Sequence, residues 1–222
     1  MQHPQAGYNP AIEASALATN TILRNTYLLL AATLLFSALT AGLAIAFNVP
    51  YLGVIITLVG YFGLLFLTNK FRNSALGLVF IFALTGFMGM TLGPIVNIYL
   101  QMPNGGELVM TALGTTGLTF LGLSAYALKS RRDFSFMGGF LVVGILGAFV
   151  LGLVAIFFNM PTLSLAVSGM FVLAMGGLIL YQTSAIVHGG ETNYIMATVT
   201  LYVSIYNLFT SLLHLFGAFG DE

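Results

Sequence analysis

The chain has 222 residues, of which 59 % are hydrophobic and 5 % charged, with six Lys/Arg balancing six Asp/Glu. A soluble chain carries roughly 25 % charged residues. A cytosolic enzyme, a nucleic-acid binder and a disordered protein are therefore excluded. With about 130 apolar residues and 26 glycines, at ~20 residues per crossing, the chain can supply six or seven membrane spans. The absence of cysteine excludes disulfides, thiol chemistry and thiolate metal sites.

Residues 1–24 contain Pro4, Asn9, Pro10 and Glu13 and have no apolar core after a basic start. They are not a signal peptide but read as a cytoplasmic tail, helical from Ala11 to Arg24 and otherwise flexible. A seven-helix membrane domain over 25–219 follows, then a short C-terminal end at 220–222. The spans are expected at Asn25–Phe47, Tyr51–Asn69, Ser74–Leu100, Glu107–Leu128, Phe136–Phe158, Thr162–Val187 and Tyr194–Phe219. They are separated by turn-forming runs such as Asn48-Val49-Pro50, Asn159-Met160-Pro161 and His188-Gly189-Gly190-Glu191. In span three, Gly86, Gly89 and Gly93 suit close helix packing, and Pro94 predicts a kink. Span five offers Gly144, Ala148 and Gly152 for the same purpose.

The basic residues are distributed unevenly. Arg24 precedes span one, Lys70 and Arg72 follow span two, and Lys129, Arg131 and Arg132 follow span four. With seven spans all six lie on one side, and the other side holds only Glu107, Asp221 and Glu222. Lys and Arg are retained in the cytoplasm during insertion, so these six act as topology anchors with the N-terminus in and the C-terminus out. Continuously apolar runs of this length exclude a β-barrel.

Span seven differs from the others. Thr200, Ser204, Asn207, Ser211 and His214 are spaced 4, 3, 4 and 3 residues apart, which confines them to an arc of ~80°. A polar stripe of that length cannot face lipid. Span seven is therefore expected to be central, its stripe forming either an interhelical hydrogen-bond seam or the wall of a polar path, flanked by Tyr202, Tyr206 and Phe209. Enzyme chemistry finds little support. Ser124 and His214, the one candidate nucleophile and base, lie roughly 18 Å apart in depth at 1.5 Å per residue. His188 and Glu191, in the inner-mouth loop, lack a third ligand for a metal. No cofactor is expected.

The last third carries recognisable motifs. Tyr181-Gln182-Thr183-Ser184-Ala185-Ile186 leads into His188-Gly189-Gly190-Glu191-Thr192-Asn193-Tyr194-Ile195, and Leu201-Tyr202-Val203-Ser204-Ile205-Tyr206-Asn207-Leu208-Phe209 follows. Arg24-Asn25-Thr26-Tyr27, Thr57-Leu58-Val59-Gly60, Leu92-Gly93-Pro94-Ile95 and Asp133-Phe134-Ser135-Phe136-Met137-Gly138-Gly139 agree with them. Over residues 20–219 the chain resembles the Bax-inhibitor (transmembrane Bax inhibitor motif) family of seven-span proteins. It is most similar to a bacterial inner-membrane branch. The resemblance implies a central last helix enclosed by six others. It also implies two activities: a pH-gated Ca²⁺ leak through carboxylates on spans six and seven, and, in that bacterial branch, binding and restraint of the membrane AAA protease FtsH. At the carboxylate positions this chain has Gln182, Thr200 and Ser204, which neither titrate nor bind Ca²⁺ strongly. The expected partners are therefore FtsH and the lipid bilayer, with no nucleic acid. Ca²⁺ or H⁺ permeation is the alternative, in which His188 and His214 are the remaining groups with an ordinary pKa near 6.5.

Overall fold

The computed structural model describes residues 10–220. Seven α-helices account for nearly all of them: α1 (Pro10–Ala46), α2 (Val54–Lys70), α3 (Ala75–Leu100), α4 (Gly105–Ser130), α5 (Gly138–Phe157), α6 (Pro161–Val187) and α7 (Tyr194–Phe219). A single 3₁₀ turn, Ser135–Met137, leads into α5. Six segments are long and apolar enough to cross a membrane, and α2 is a shorter apolar helix of 17 residues. At 1.5 Å per residue α2 is about 25 Å long, a little under the ~30 Å hydrocarbon thickness.

The helix ends follow the punctuation in the sequence. At Asn48 (φ 51°), Asn159 (φ 50°) and Gly189 (φ 74°) the chain turns left-handed. Val49, Met160 and Gly190 then donate their N–H groups five residues back, to the carbonyls of Ala44, Ala155 and Ala185, at 2.8–2.9 Å. Such closures satisfy the last carbonyls of α1, α5 and α6. Pro161 starts α6, where a missing N–H costs nothing. The helix expected from Ala11 to Arg24 is present, and it is continuous with span one. The helix runs back from Asn25 to Pro10, and its apolar part begins at Thr19. Residues 10–24 are thus continuous with the first helix, and residues 1–9 of the expected flexible tail lie outside the described residues.

Helix α7 is the hub, packing against α1, α3, α4 and α6, while α2 is carried on α3 and α5 on α6. The hub therefore has four direct neighbours rather than the six expected. Of its 26 residues, 13 are buried. The small residues of α3 behave as expected. A Cβ at Gly93 would stand 2.6 Å from Ala44 Cβ and 2.7 Å from the Ala41 carbonyl oxygen, and one at Gly89 would run into the Ser37 carbonyl and the Thr40 hydroxyl. Helix α3 therefore lies against the backbone of α1. The α5 stripe behaves differently. Ala148 is buried and Gly152 makes an ordinary contact with Val167, but a Cβ at Gly144 would meet nothing within 4 Å. The close approach there is made by Gly177 of α6, where a Cβ would stand 2.8 Å from Leu141. Because α5 packs mainly on α6, a narrow seam of Leu141, Ala148 and Ala155 suffices.

Candidate functional site: the polar hub and the clasp at one end

The stripe on α7 is in place, but its hydrogen bonds run differently from the expected seam. Thr200 donates to the Met196 carbonyl (3.1 Å), Ser204 to that of Thr200 (2.8 Å), and the Asn207 amide to that of Val203 (2.9 Å). Each is one turn back on the same helix, an option always available to Ser and Thr. Ser211 is buried. His214 is the member that reaches another helix, pairing its Nδ1 with Ser168 Oγ of α6 at 2.8 Å, and Ser168 also donates to the Ser164 carbonyl. Ser124, by contrast, is buried with its hydroxyl unpartnered.

The bonds that tie α7 to α1 and α3 arise on another face. The Tyr202 hydroxyl lies 2.6 Å from Ser37 Oγ of α1 and donates to the Thr85 carbonyl of α3 at 3.3 Å. Thr198 donates to the Thr26 carbonyl of α1 at 3.2 Å and to that of Tyr194 at 2.7 Å. Tyr202 is 1 % exposed. Sequence reasoning placed it merely beside the stripe. The signal that could have singled it out is its hydroxyl, since a buried tyrosine O–H nearly always finds a partner.

On α6, Gln182 and Thr183 are buried, and the Gln182 amide nitrogen and Thr183 hydroxyl have no hydrogen-bond partner. The Gln182 amide nitrogen therefore makes no bond to Ser204 across the core. The Ser204 proton is used within α7.

At one end of the bundle three loops are joined into a single plate. Ser184, in the last turn of α6, donates to the Arg132 carbonyl and accepts from the Phe134 N–H, both at 3.0 Å. His188, capping α6, places Nδ1 2.9 Å from the Ser184 carbonyl and Nε2 3.1 Å from the Arg131 carbonyl. A neutral imidazole has one N–H and can serve one of these carbonyls, whereas the imidazolium serves both. Arg131 itself sits in the left-handed region (φ 49°). Asn193 caps α7 by accepting the Met196 N–H (3.0 Å), and its amide donates to the Arg72 carbonyl (3.0 Å) and the Asn73 side chain (2.8 Å). Glu191 Oε1 accepts the Asn193 N–H at 2.8 Å. His188 and Glu191 thus bind backbone, and among the described residues no group of three metal-ligating side chains converges. The side chains of Lys70, Arg72, Lys129, Arg131 and Arg132 are exposed around the plate, and Arg24 is exposed on α1.

Beyond the hub, α2 and α5 face each other across a crevice whose floor is α7. Their rings meet edge-on at Phe62 and Phe149, with centroids 6.1 Å apart. Beneath lies a chamber of about 400 Å³, with Asn207 and Tyr206 in its wall.

The family model for "Inhibitor of apoptosis-promoting Bax1" matches residues 19–221. A protein of Pseudomonas aeruginosa is 54 % identical over the full length of both chains. The "Modulator of FtsH protease YccA" of Escherichia coli K12 is 52 % identical over 91 % of this chain and 92 % of its own. The same figures hold for the "Inner membrane protein YccA" of Escherichia coli O6:H1. Both the extent of the family match and the identity to these relatives span the whole helical bundle, from the start of the apolar part of α1 to beyond α7, and the chain is a member of the Bax-inhibitor family of membrane proteins.

Proposed function

We propose that this multi-pass inner-membrane protein binds the membrane AAA protease FtsH and restrains its proteolysis of membrane substrates, acting as a slow, competing substrate. The observation that carries this reading is the 52 % identity, over nine-tenths of both chains, to a modulator of that protease. Physical features agree. All six basic residues fall on one side of a seven-span arrangement with the N-terminus in and the C-terminus out. Hydrogen bonds between the Ser184, His188 and Asn193 side chains and backbone groups join the loops at 72–73, 131–134 and 188–193 at one common end. A protease that pulls from the cytosol would start at the N-terminal segment. It would then meet a bundle whose last helix is bonded to α1 and α3.

The Ca²⁺-leak alternative is less favoured because Gln182, Thr200 and Ser204 stand where the family's channel pattern has acids. The deciding experiment is co-purification with FtsH from native membranes, followed by the decay rate of an FtsH membrane substrate with and without this protein. Co-purification and slower decay are expected. Reconstituted Ca²⁺ flux without FtsH association would reverse the order of the two readings. Reporter fusions at 24, 72 and 131 should report cytosol, and fusions at 104 and 222 the outside.

A further inference from the structure

We propose that the crevice between α2 and α5 is a binding site for one acyl chain of a membrane phospholipid. It has two connected chambers that share Leu58, Phe149, Phe171 and Asn207 in their walls. The deeper is about 400 Å³ and the other about 290 Å³. The deeper chamber is walled by aromatic and aliphatic side chains. Its two threonines, Thr57 and Thr91, spend their hydroxyl protons on their own helices, on the Gly53 and Met88 carbonyls. Tyr61, Tyr206 and Asn207 add polar tips to a wall that is otherwise apolar and suits an apolar occupant. The second chamber reaches the end of the bundle where α2 begins, α5 ends and α6 begins. It adds Ser164, Thr210 and Ser211. Apolar depth followed by a hydroxyl-bearing mouth near one membrane face matches an acyl chain followed by its ester and glycerol groups.

The occupant follows from the surroundings. The lips of the crevice are side chains turned outward on α2 and α5: Val59, Phe62, Leu146 and Val150 are 50–69 % exposed. In a bilayer they contact acyl chains, and the deeper chamber is continuous with that medium. A protein helix needs a slot of roughly 10–12 Å, and the Phe62–Phe149 ring contact closes the lips to less than that. One hydrocarbon chain can lie beneath the contact, held by it against α7.

The chain contains no tryptophan, so a single one reports its own surroundings. Phe149→Trp places the probe between the two chambers. Leu173→Trp places it on the outer face of α6, where Leu173 is 80 % exposed. Both proteins are loaded in vesicles of phosphatidylcholine brominated on its acyl chains, then diluted into a large excess of unbrominated lipid. Leu173→Trp should lose its bromine quenching on mixing. Phe149→Trp should retain at least twice the residual quenching over the following minutes, and Val203→Phe added to it should remove that retention. Ile145→Trp, on the deeper wall, serves as a second probe should Phe149→Trp misfold. Organic extraction of the detergent-washed unmodified protein should yield about one phospholipid per chain. Equal recovery of the crevice and outer-face probes would mean passing contact with bulk lipid. A crevice probe that is never quenched would mean water or protein in the chambers. Either result, or a lipid-free extract, overturns the proposal.

Discussion

Helices α5 and α7 invert the relation between apolarity and burial familiar from soluble proteins. Helix α5 is the most apolar of the seven and buries three of its 20 residues, whereas α7 is among the least apolar and buries 13 of 26. In water the hydrophobic effect drives apolar surface inward. In lipid the outer medium is as apolar as leucine, and that drive between helices is lost. What remains is the cost of leaving a polar group in hydrocarbon, so polar groups mark the inside. Ser37, Thr85, Thr198 and Tyr202 lie where three helices meet, while Phe140, Val143 and Val150 face outward.

The comparison can be broken at its strongest point. Tyr202→Ala removes a buried ring and strands Ser37, with an expected loss of ~3–5 kcal/mol. Tyr202→Phe keeps the ring and should lose ~1–3 kcal/mol. Leu146→Ala on α5 should stay within ~0.5 kcal/mol. Equilibrium unfolding in mixed micelles measures all three, and a Leu146→Ala loss as large as that of Tyr202→Phe would refute the inversion. A matched glycine pair tests the same idea through backbone approach. Gly93→Val on α3 should cost ~1–3 kcal/mol because Ala41 and Ala44 of α1 cannot withdraw. Gly144→Ala on α5 has open space and should be neutral or slightly stabilising, since it removes backbone entropy from the unfolded chain.

Polarity at the hub can also be raised. Calcium entry into liposomes should be small for the unmodified protein and little changed between pH 8 and 6. Gln182→Asp with Ser204→Asp should introduce pH-sensitive flux, because two carboxylates at low dielectric share a proton. A steep pH dependence in the unmodified protein that survives His188→Ala and His214→Ala would promote the leak to the first function. The smallest effect belongs to the α4–α5 loop. The Asp133 carboxylate accepts the Ser135 N–H at 2.8 Å. Hydrogen bonds from the Ser135 backbone and side chain hold its pKa below the ordinary carboxylate range, with the charge of His188 adding to the effect. A depressed folded pKa contributes above the ordinary value and fades as pH falls through the folded one. The Ser135 amide shift should therefore titrate with a midpoint below ~3.9, and Ser135→Ala should raise that midpoint. The core marked by Tyr202 should not respond.

Much of the fold was legible in the sequence because lipid imposes length and continuity. Asn48, Asn159 and Gly189 closed their helices, and Pro161 opened α6, where turn chemistry requires. Helix over residues 11–24 was legible, but its continuity with span one was not: those residues are too polar to read as part of a span, yet nothing in them stops a helix. The α7 stripe gave the correct buried helix, because a 100° period reports which face is polar. It could not report which acceptor each hydroxyl uses, since the carbonyl one turn back competes with any neighbour. Tyr202 was missed for a related reason. Its partners, Ser37 and the Thr85 carbonyl, lie 165 and 117 residues away in sequence.

The hub is also the last of the described helices, so synthesis makes its neighbours first. Helices α1 to α6 enter the membrane before the residues that join them exist. Until α7 arrives, Ser37 lacks its tyrosine, and the Arg72 and Asn73 groups of the α2–α3 loop lack Asn193. At ~5–20 residues per second, the 26 residues of α7 take roughly one to five seconds to emerge. During that interval the bundle is a ring without its axle. A ribosome that stops before α7 leaves a product that lacks the helix on which the core closes.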